Sequence, residues 1–409
     1  MLDICVPYGL NRSQQLQIDE ERVRVRHHAP AAVDSLETSV RDQLTSPIDF
    51  PALSRAILPD DQIVIALDND TPCAATLVKG VWDVMQARGV APQNVTILRP
   101  SSGQLHRATD PRCELPEEIR DRITLAFHDP ADEKHRAYLA TTTNGERVYL
   151  ARQLVEADFV LPVGAMTYDP VLGFRGTSSV LFPGLSTIDA IRKSQGQGHI
   201  ELGPSDVRSL RQTIDEVGWL LGVQFTLQVI PAGRDRVSAV MAGAMESLFK
   251  RGQEQLSHNW HVDVDDHLDL VIVAVDAEAG NQGWSSVASA LASARRLVKR
   301  EGRILVLSDL ADDLTAGLEM LRDSRTPRDA LKPLRKAAPD DLVTATQVAQ
   351  AVDRANVYLM SRLEDDLVED LFMTPVGSDA EVARLIESCD SCAIIESAQY
   401  TYGAVQATV

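Results

Sequence analysis

The residues most able to do chemistry gather in four short stretches, the first three of them beyond the carboxyl ends of expected strands. Asp68-Asn69-Asp70-Thr71-Pro72 follows Gln62–Leu67, and its two carboxylates suit a base, a ribose ligand or a turn. The segment from Arg99 to His106 follows Val95–Leu98 and ends on a titratable imidazole. Gly173-Phe174-Arg175-Gly176-Thr177-Ser178-Ser179 supplies glycines for close backbone approach and hydroxyls for hydrogen bonding, a composition suited to an anion-binding loop or an ordinary connection. It is neither a Walker loop nor a dinucleotide fingerprint. His199 ends Ser194-Gln195-Gly196-Gln197-Gly198, where flanking glycines leave its imidazole open to nickel or zinc, or simply to solvent.

These stretches need a scaffold that brings strand ends together. Gln62–Leu67 reads as a buried strand, Ala74–Arg88 as an amphipathic helix stopped by Gly89, and Val95–Leu98 as the next strand. That β-turn-α-β unit predicts a parallel sheet. Strands are expected again at Ile123–Phe127, Val148–Leu150 and Phe159–Gly164. A helix over Val207–Leu221 and a hairpin of Phe225–Ile230 with Val237–Gly243 follow. A second series begins with the β-branched run Leu270–Val275, then a helix over Ser285–Arg300 and strands at Gly302–Leu307, Asn356–Leu359 and Cys392–Ile395. The fold class expected is α/β, with two α/β domains of largely parallel sheet, an N-terminal one over 1–265 and a C-terminal one over 266–409. The charged stretch 312–341 reads as a solvated cap. His258, His261 and His267, interleaved with Asp263, Asp265 and Asp266, read as a polar linker.

Composition narrows the function classes. The 409 residues carry 59 acids against 40 bases, a formal charge of -19. Such a field repels phosphate backbones and anionic lipid, so nucleic acid and membrane surfaces are not expected partners. An anionic ligand requires a local cationic or metal site. Five cysteines form no disulfide framework, and Cys389-Asp390-Ser391-Cys392 reads as two ordinary thiols near a helix, with a redox role as the alternative. The opening residues lack the charged and apolar regions of a signal peptide, and no apolar run is long enough to span a bilayer, so the expected location is the cytoplasm.

Several segments, in order, resemble the nickel-pincer lactate racemase family. They are Ile63–Pro72, Ala157–Gly164, Gly173-Phe174, Gly176, Pro183-Gly184, His199, Leu221–Val229, Ala242-Gly243 and Asp269–Ala274. The resemblance implies two α/β domains with an active site in the cleft between them. It implies racemisation or epimerisation of a 2-hydroxy acid by a nickel-pincer nucleotide, which accepts and returns a hydride while two histidines exchange the hydroxyl proton.

Matched position by position, the resemblance is incomplete. Asp68 and Pro72 match the family's acid and proline, while its arginine falls on Thr71. The first catalytic histidine falls near Ser102-Gly103-Gln104, with His106 two places later, and the second falls on Asp169. The lysine that links the cofactor falls on Ser179, and His199 matches the metal-binding histidine. The substrate-binding lysine falls near Gly280–Gln282, which holds no cation. The resemblance therefore implies Asp169 and His106 as the acid–base pair and His199 as the metal ligand. Asp68, Thr71, Gly176, Thr177, Ser178 and Ser179 would line a site for a nucleotide held non-covalently. The reading is an isomerase of a 2-hydroxy acid or sugar acid, with oligomerisation left open. The alternatives are a non-catalytic small-ligand binder or a metal-assisted lyase on the same fold.

Overall fold

The structure is a computed structural model that describes residues 1–101, 109–196, 202–277 and 283–406. The chain divides into two compact units, Met1–Pro30 with His258–Val409, and Ala31–Ser257.

The first residues build a hairpin, β1 (Leu2–Tyr8) and β2 (Arg12–Ile18), followed by a short strand, β3 (Val23–His27). Alternation along the hairpin buries Ile4, Val6, Tyr8, Leu16 and Ile18 on one face.

The Ala31–Ser257 unit opens with α1 (Leu36–Thr45), β4 (Ile63–Leu67), α2 (Ala74–Arg88), β5 (Val95–Pro100) and β6 (Thr124–His128). After a small antiparallel pair, β7 (Arg136–Thr141) and β8 (Arg147–Ala151), come β9 (Phe159–Ala165) and the short hairpin β10 (Thr167–Asp169) and β11 (Gly173–Arg175). Helices α3 (Ile188–Gln195) and α4 (Ser209–Leu220) precede β12 (Phe225–Pro231) and β13 (Val237–Ala244). The main sheet runs β13-β12-β9-β4-β5-β6, parallel except for the β12–β13 pair. Every residue of β4 is buried, and Ile63, Ile65 and Leu67 share a core with Leu77, Val81 and Met85 of α2. Helix α2 stops where Gly89 takes φ 91°, closing the turn onto the carbonyls of Met85 and Gln86.

From β4 the chain proceeds to β5 and β6 on one side, then returns to place β9 on the other. The β4–β9 boundary is therefore the sheet's topological switch point, where loops leaving the carboxyl ends diverge and open a crevice.

Helix α5 (Met245–Trp260) leads to β14 (His261–Val264), β15 (Leu268–Ala274), α6 (Trp284–Leu297) and β16 (Val298–Leu307). Then come α7 (Ala316–Arg322), α8 (Pro327–Ala337), α9 (Leu342–Arg354), β17 (Asn356–Met360), β18 (Thr374–Pro375), α10 (Asp379–Glu387), β19 (Cys392–Ile395) and β20 (Tyr402–Val405). The second main sheet is β18-β17-β16-β15-β19-β3, with all of its pairs parallel. The hairpin β1–β2 and α10 cover one face, while α6 and α9 cover the other.

Three expectations are corrected. Met1–Pro30 was assigned to the N-terminal domain, yet β3 pairs with β19 at the edge of the second sheet and the hairpin packs on Leu270 and Ile272. The alternation in those 30 residues marks strands, but the sheet partner of β3 lies hundreds of residues away, and local pattern does not say which sheet a strand joins. The stretch 312–341 is more than a solvated cap, because Leu318, Leu321, Ala330 and Leu334 are fully buried in the core of its unit. The histidine-rich linker is regular structure, with His258 in α5 and His261 in β14. No group of three or more metal-ligating side chains occurs among the described residues. Cys389 and Cys392 are free, buried thiols between α10 and β19. Asp269 fixes the turn between them, accepting from the Asp390 and Ser391 backbone N–H groups at 3.2 and 3.0 Å. Among the described residues no helix is long and apolar enough to cross a membrane.

Candidate functional site

The switch point gathers polar groups that an apolar sheet would not otherwise bring together. Asp68 is the first residue beyond β4 and is buried. Its carboxylate accepts a two-pronged ion pair from Arg175, Nε to Oδ2 at 2.9 Å and Nη2 to Oδ1 at 2.6 Å. The Asn69 backbone N–H also donates to Oδ1 at 2.9 Å. Room for this carboxylate exists because β9 carries Gly164 beside it, where an added Cβ would stand 3.3 Å from the Asp68 Cβ. The Thr71 hydroxyl donates to the Asp68 carbonyl at 2.8 Å and tightens the turn. Asp68 and Thr71 thus hold the shape of the loop and the pose of Arg175.

Arg99, at the end of β5, is 4% exposed. Its Nη2 donates to the Asn69 carbonyl at 3.1 Å, and its Nε has no hydrogen-bond partner among the described residues. Burial depresses its pKa, against the attraction of Asp70, Asp68 and Asp110. The Arg175 pKa is raised, chiefly by Asp68 and also by Asp70 and Asp169, so its charge is permanent. Asp70 differs from both neighbouring acids. Its side chain is exposed and takes part in no hydrogen bond among the described residues. Crowding by protein raises its pKa, Asp68 adds to the rise, and Arg175 and Arg99 oppose it.

The segment after β11 closes on itself. Gly176 adopts φ 127°, and a side chain there would meet Met166 Cγ at 2.7 Å. Its N–H donates to Ser179 Oγ at 3.0 Å, so the serine closes the turn. Thr177 is held at φ 52°. Arg211 of α4 donates to the Thr177 hydroxyl at 2.9 Å and to the Gly176 carbonyl at 3.3 Å, and itself rests on the Phe249 ring at 4.0 Å. Ser178 is buried against Gly218 of α4, with its hydroxyl unpartnered. Gln228 of β12 lies between Gly164 and Gly176, its Oε1 also buried and unpartnered. Unsatisfied atoms on Asn69, Arg99, Ser178 and Gln228 are what a polar ligand or ordered water would complete.

Asp169 lies apart from this cluster in its bonding. Its Oδ1 accepts from the Val171 and Leu172 N–H groups, both at 2.8 Å, and so caps the β10–β11 turn. Buried Arg208 secures the same turn by donating to the Pro170 and Val171 carbonyls at 3.3 and 3.2 Å. Asp169→Ala is expected to destabilise the protein by about 1–2 kcal/mol through the two lost hydrogen bonds to its Oδ1, a drop that thermal unfolding of the full chain measures. Asp169→Asn keeps an acceptor and should restore most of it.

The structure thus brings Asp68 and Thr71 to the switch point and joins Gly176–Ser179 to it through Arg175 and Gln228. His106, His199, Ser102-Gly103-Gln104 and Gly280–Gln282 lie outside the described residues. Sequence reasoning passed over Arg99, Arg175, Arg211 and Gln228. A signal for two of them was present, since Arg99 interrupts an apolar strand at its carboxyl end and Arg175 sits inside the glycine-rich loop.

The covalent cofactor link implied by the family does not fit these residues. Ser179 has no amine, and its hydroxyl is spent on the Gly176 N–H inside a closed turn.

Residues 8–201 match the family model for the lactate racemase N-terminal domain. Over 410 aligned residues the chain is 20% identical to a lactate racemase of Thermoanaerobacterium thermosaccharolyticum, covering 95% of both sequences. The solved lactate racemase apoprotein of that organism superposes with a TM-score of 0.78 at 19% identity, over 99% of this chain and 100% of the other. A protein from Thermotoga maritima superposes with a TM-score of 0.68 at 14% identity, over 92% of this chain and 100% of that one. At such identities the structural likeness establishes the fold.

Proposed function

We propose that this chain, whose residues 8–201 match the lactate racemase N-terminal domain and which is 20% identical to a lactate racemase over 95% of its length, is a lactate racemase-like protein that binds a small anionic 2-hydroxy acid or sugar acid at the switch point of its Ala31–Ser257 unit and isomerises it at the hydroxyl-bearing carbon. One observation carries the reading. Among the described residues, Arg99 and Arg175 leave guanidinium N–H groups unspent beside Asp70, whose carboxyl makes no hydrogen bond to any of them. A fork of two cations suits a carboxylate, and a free carboxyl suits the adjacent hydroxyl. In a chain of net charge -19, such a local cationic site is what an anionic ligand requires.

Thr71 and Ser179 stand where the family has an arginine and a lysine, so Arg99 and Arg175 take over the cationic role, and any nucleotide is held non-covalently. Asp68, Thr71 and Gly176–Ser179 would then face it, with His199 as the metal ligand. No step is routed through that group, because Ser179 does not fit its attachment. The same substitution favours a second reading, a binding protein of the cytoplasm that has lost the reaction.

The test is titration calorimetry with each enantiomer of lactate and of glycerate, followed by chiral analysis of the products, on protein purified from its native host. Binding with interconversion of enantiomers is the result expected. Binding without conversion establishes the second reading, net loss of the acid indicates a lyase, and absence of binding by any hydroxy acid overturns the proposal.

A further inference from the structure

The acid–base pair implied by resemblance, Asp169 and His106, leaves the exposed carboxyl at the switch point without a role. Asp70 is the third residue past the end of β4, at the strand boundary where loops diverge. It is accessible, and no donor among the described residues is bonded to it. The charged groups facing it are Arg175 from β11, Arg99 from β5 and Asp68 from its own loop. Asp68 is saturated by three donors, and Asp169 has an oxygen committed to two backbone N–H groups. Of these three carboxyls, Asp70 alone is both accessible and free of hydrogen bonds to the described residues.

We propose that Asp70 is the proton-exchanging carboxyl of this anion site, taking up a proton from solvent when a 2-hydroxy acid binds between Arg99 and Arg175. The inference rests on the reading above, that a hydroxy acid is the ligand. Its physical basis is charge balance. In the free protein the two guanidinium groups favour the Asp70 carboxylate. A bound anion takes over that compensation and adds a like charge beside Asp70, so the proton is held more tightly in the complex. The neutral acid then donates a hydrogen bond to the ligand's hydroxyl, or accepts its proton once ionised; this is the hydroxyl-proton half of isomerisation at that carbon, and Asp70 is assigned no part in moving the carbon-bound hydrogen.

Crowding by protein, with the charge of Asp68 adding to it, already raises the Asp70 pKa above its ordinary 3.8 although the side chain stays accessible, so protonation lies closer to neutral pH than for a solvated aspartate. The same shift sets the sign for stability. A carboxyl with a raised folded pKa destabilises the fold progressively as pH climbs from the unfolded value through the folded one. Asp70→Asn removes that loss and is expected to fold at least as well as the parent.

The experiment is isothermal titration of lactate into the full-length protein in buffers of different ionisation enthalpy, between about pH 5 and 8. The parent is expected to take up a fraction of one proton, and its affinity to rise by as much as about tenfold per unit fall in pH where uptake is complete. Asp70→Asn should bind lactate with proton uptake near zero and a flattened pH profile. Asp169→Asn should keep the parental linkage. Unchanged proton uptake in Asp70→Asn overturns the inference while leaving the hydroxy-acid reading intact. Failure of the parent to bind lactate or glycerate overturns both.

Discussion

Replacing Arg175 with methionine is expected to lower stability by about 2 kcal/mol and to abolish anion binding. The change leaves the Asp68 carboxylate, 6% exposed, charged and without its two strongest donors. Breaking a fully buried pair typically costs ~3–5 kcal/mol. The lower figure applies because the Arg175 side chain is 36% exposed and water screens part of the interaction. For a unit of this size the loss corresponds to a fall in Tm of about 4–8 °C, measurable by thermal unfolding of the full chain. Asp68→Asn should cost less, since the guanidinium it frees can turn toward solvent. Arg175→Lys should recover only part of the loss, because an ammonium cannot reproduce the fork that meets both carboxylate oxygens. Equal stability of Arg175→Met and the parent would refute a structural role for the pair.

The second large effect separates binding from stability. Arg99 is more buried than Arg175, yet it holds only the Asn69 carbonyl among the described residues. A desolvated cation with an unpartnered Nε is a cost to the folded state. Arg99→Met removes that cost while conserving most of the volume, so Tm is expected to hold or rise. Affinity for lactate should fall by about 30- to 5 × 10³-fold, the range for losing one partner of a close charge pair, about 2–5 kcal/mol. Calorimetry and thermal unfolding on the same variant test both halves. A fall in Tm with unchanged affinity would make Arg99 a structural residue and remove it from the site. Arg175 and Arg99 are thus expected to lose binding alike and to move stability in opposite directions, which a general disruption of the loop would not do.

How much of this was legible beforehand depended on the range of the interactions involved. The β4-α2-β5 unit was readable because its signals are local: five consecutive apolar residues, a helix with apolar residues at 3.6-residue spacing, and a glycine stop. The helix expected over Ser285–Arg300 ends instead at Leu297, because Val298 begins β16, a strand that runs to Leu307 and pairs with β15. Pairing across the sheet outweighed the helix-forming arginines at that boundary. The glycine-rich loop was legible as a binding segment by composition alone. That its serine closes a turn on Gly176, and its arginine reaches across to Asp68, was not, since the partners lie 3 and 107 residues apart.

The sequence by itself determined the α/β alternation, the buried strands and the family resemblance, because hydrophobic period and turn chemistry act between near neighbours. It also determined that Ser179 cannot supply an amine. Tertiary structure alone decided that β3 completes the sheet of the opposite end of the chain, that Asp169 is tied into a turn, and that Asp68 is occupied by Arg175. The identity of the unoccupied groups, Asp70 and the spare guanidinium N–H groups of Arg99 and Arg175, was decided at the same level. Whether a polar side chain is spent on the fold or left for a ligand depends on which distant donors and acceptors the topology brings within about 3 Å of it, and residue type does not encode that distance.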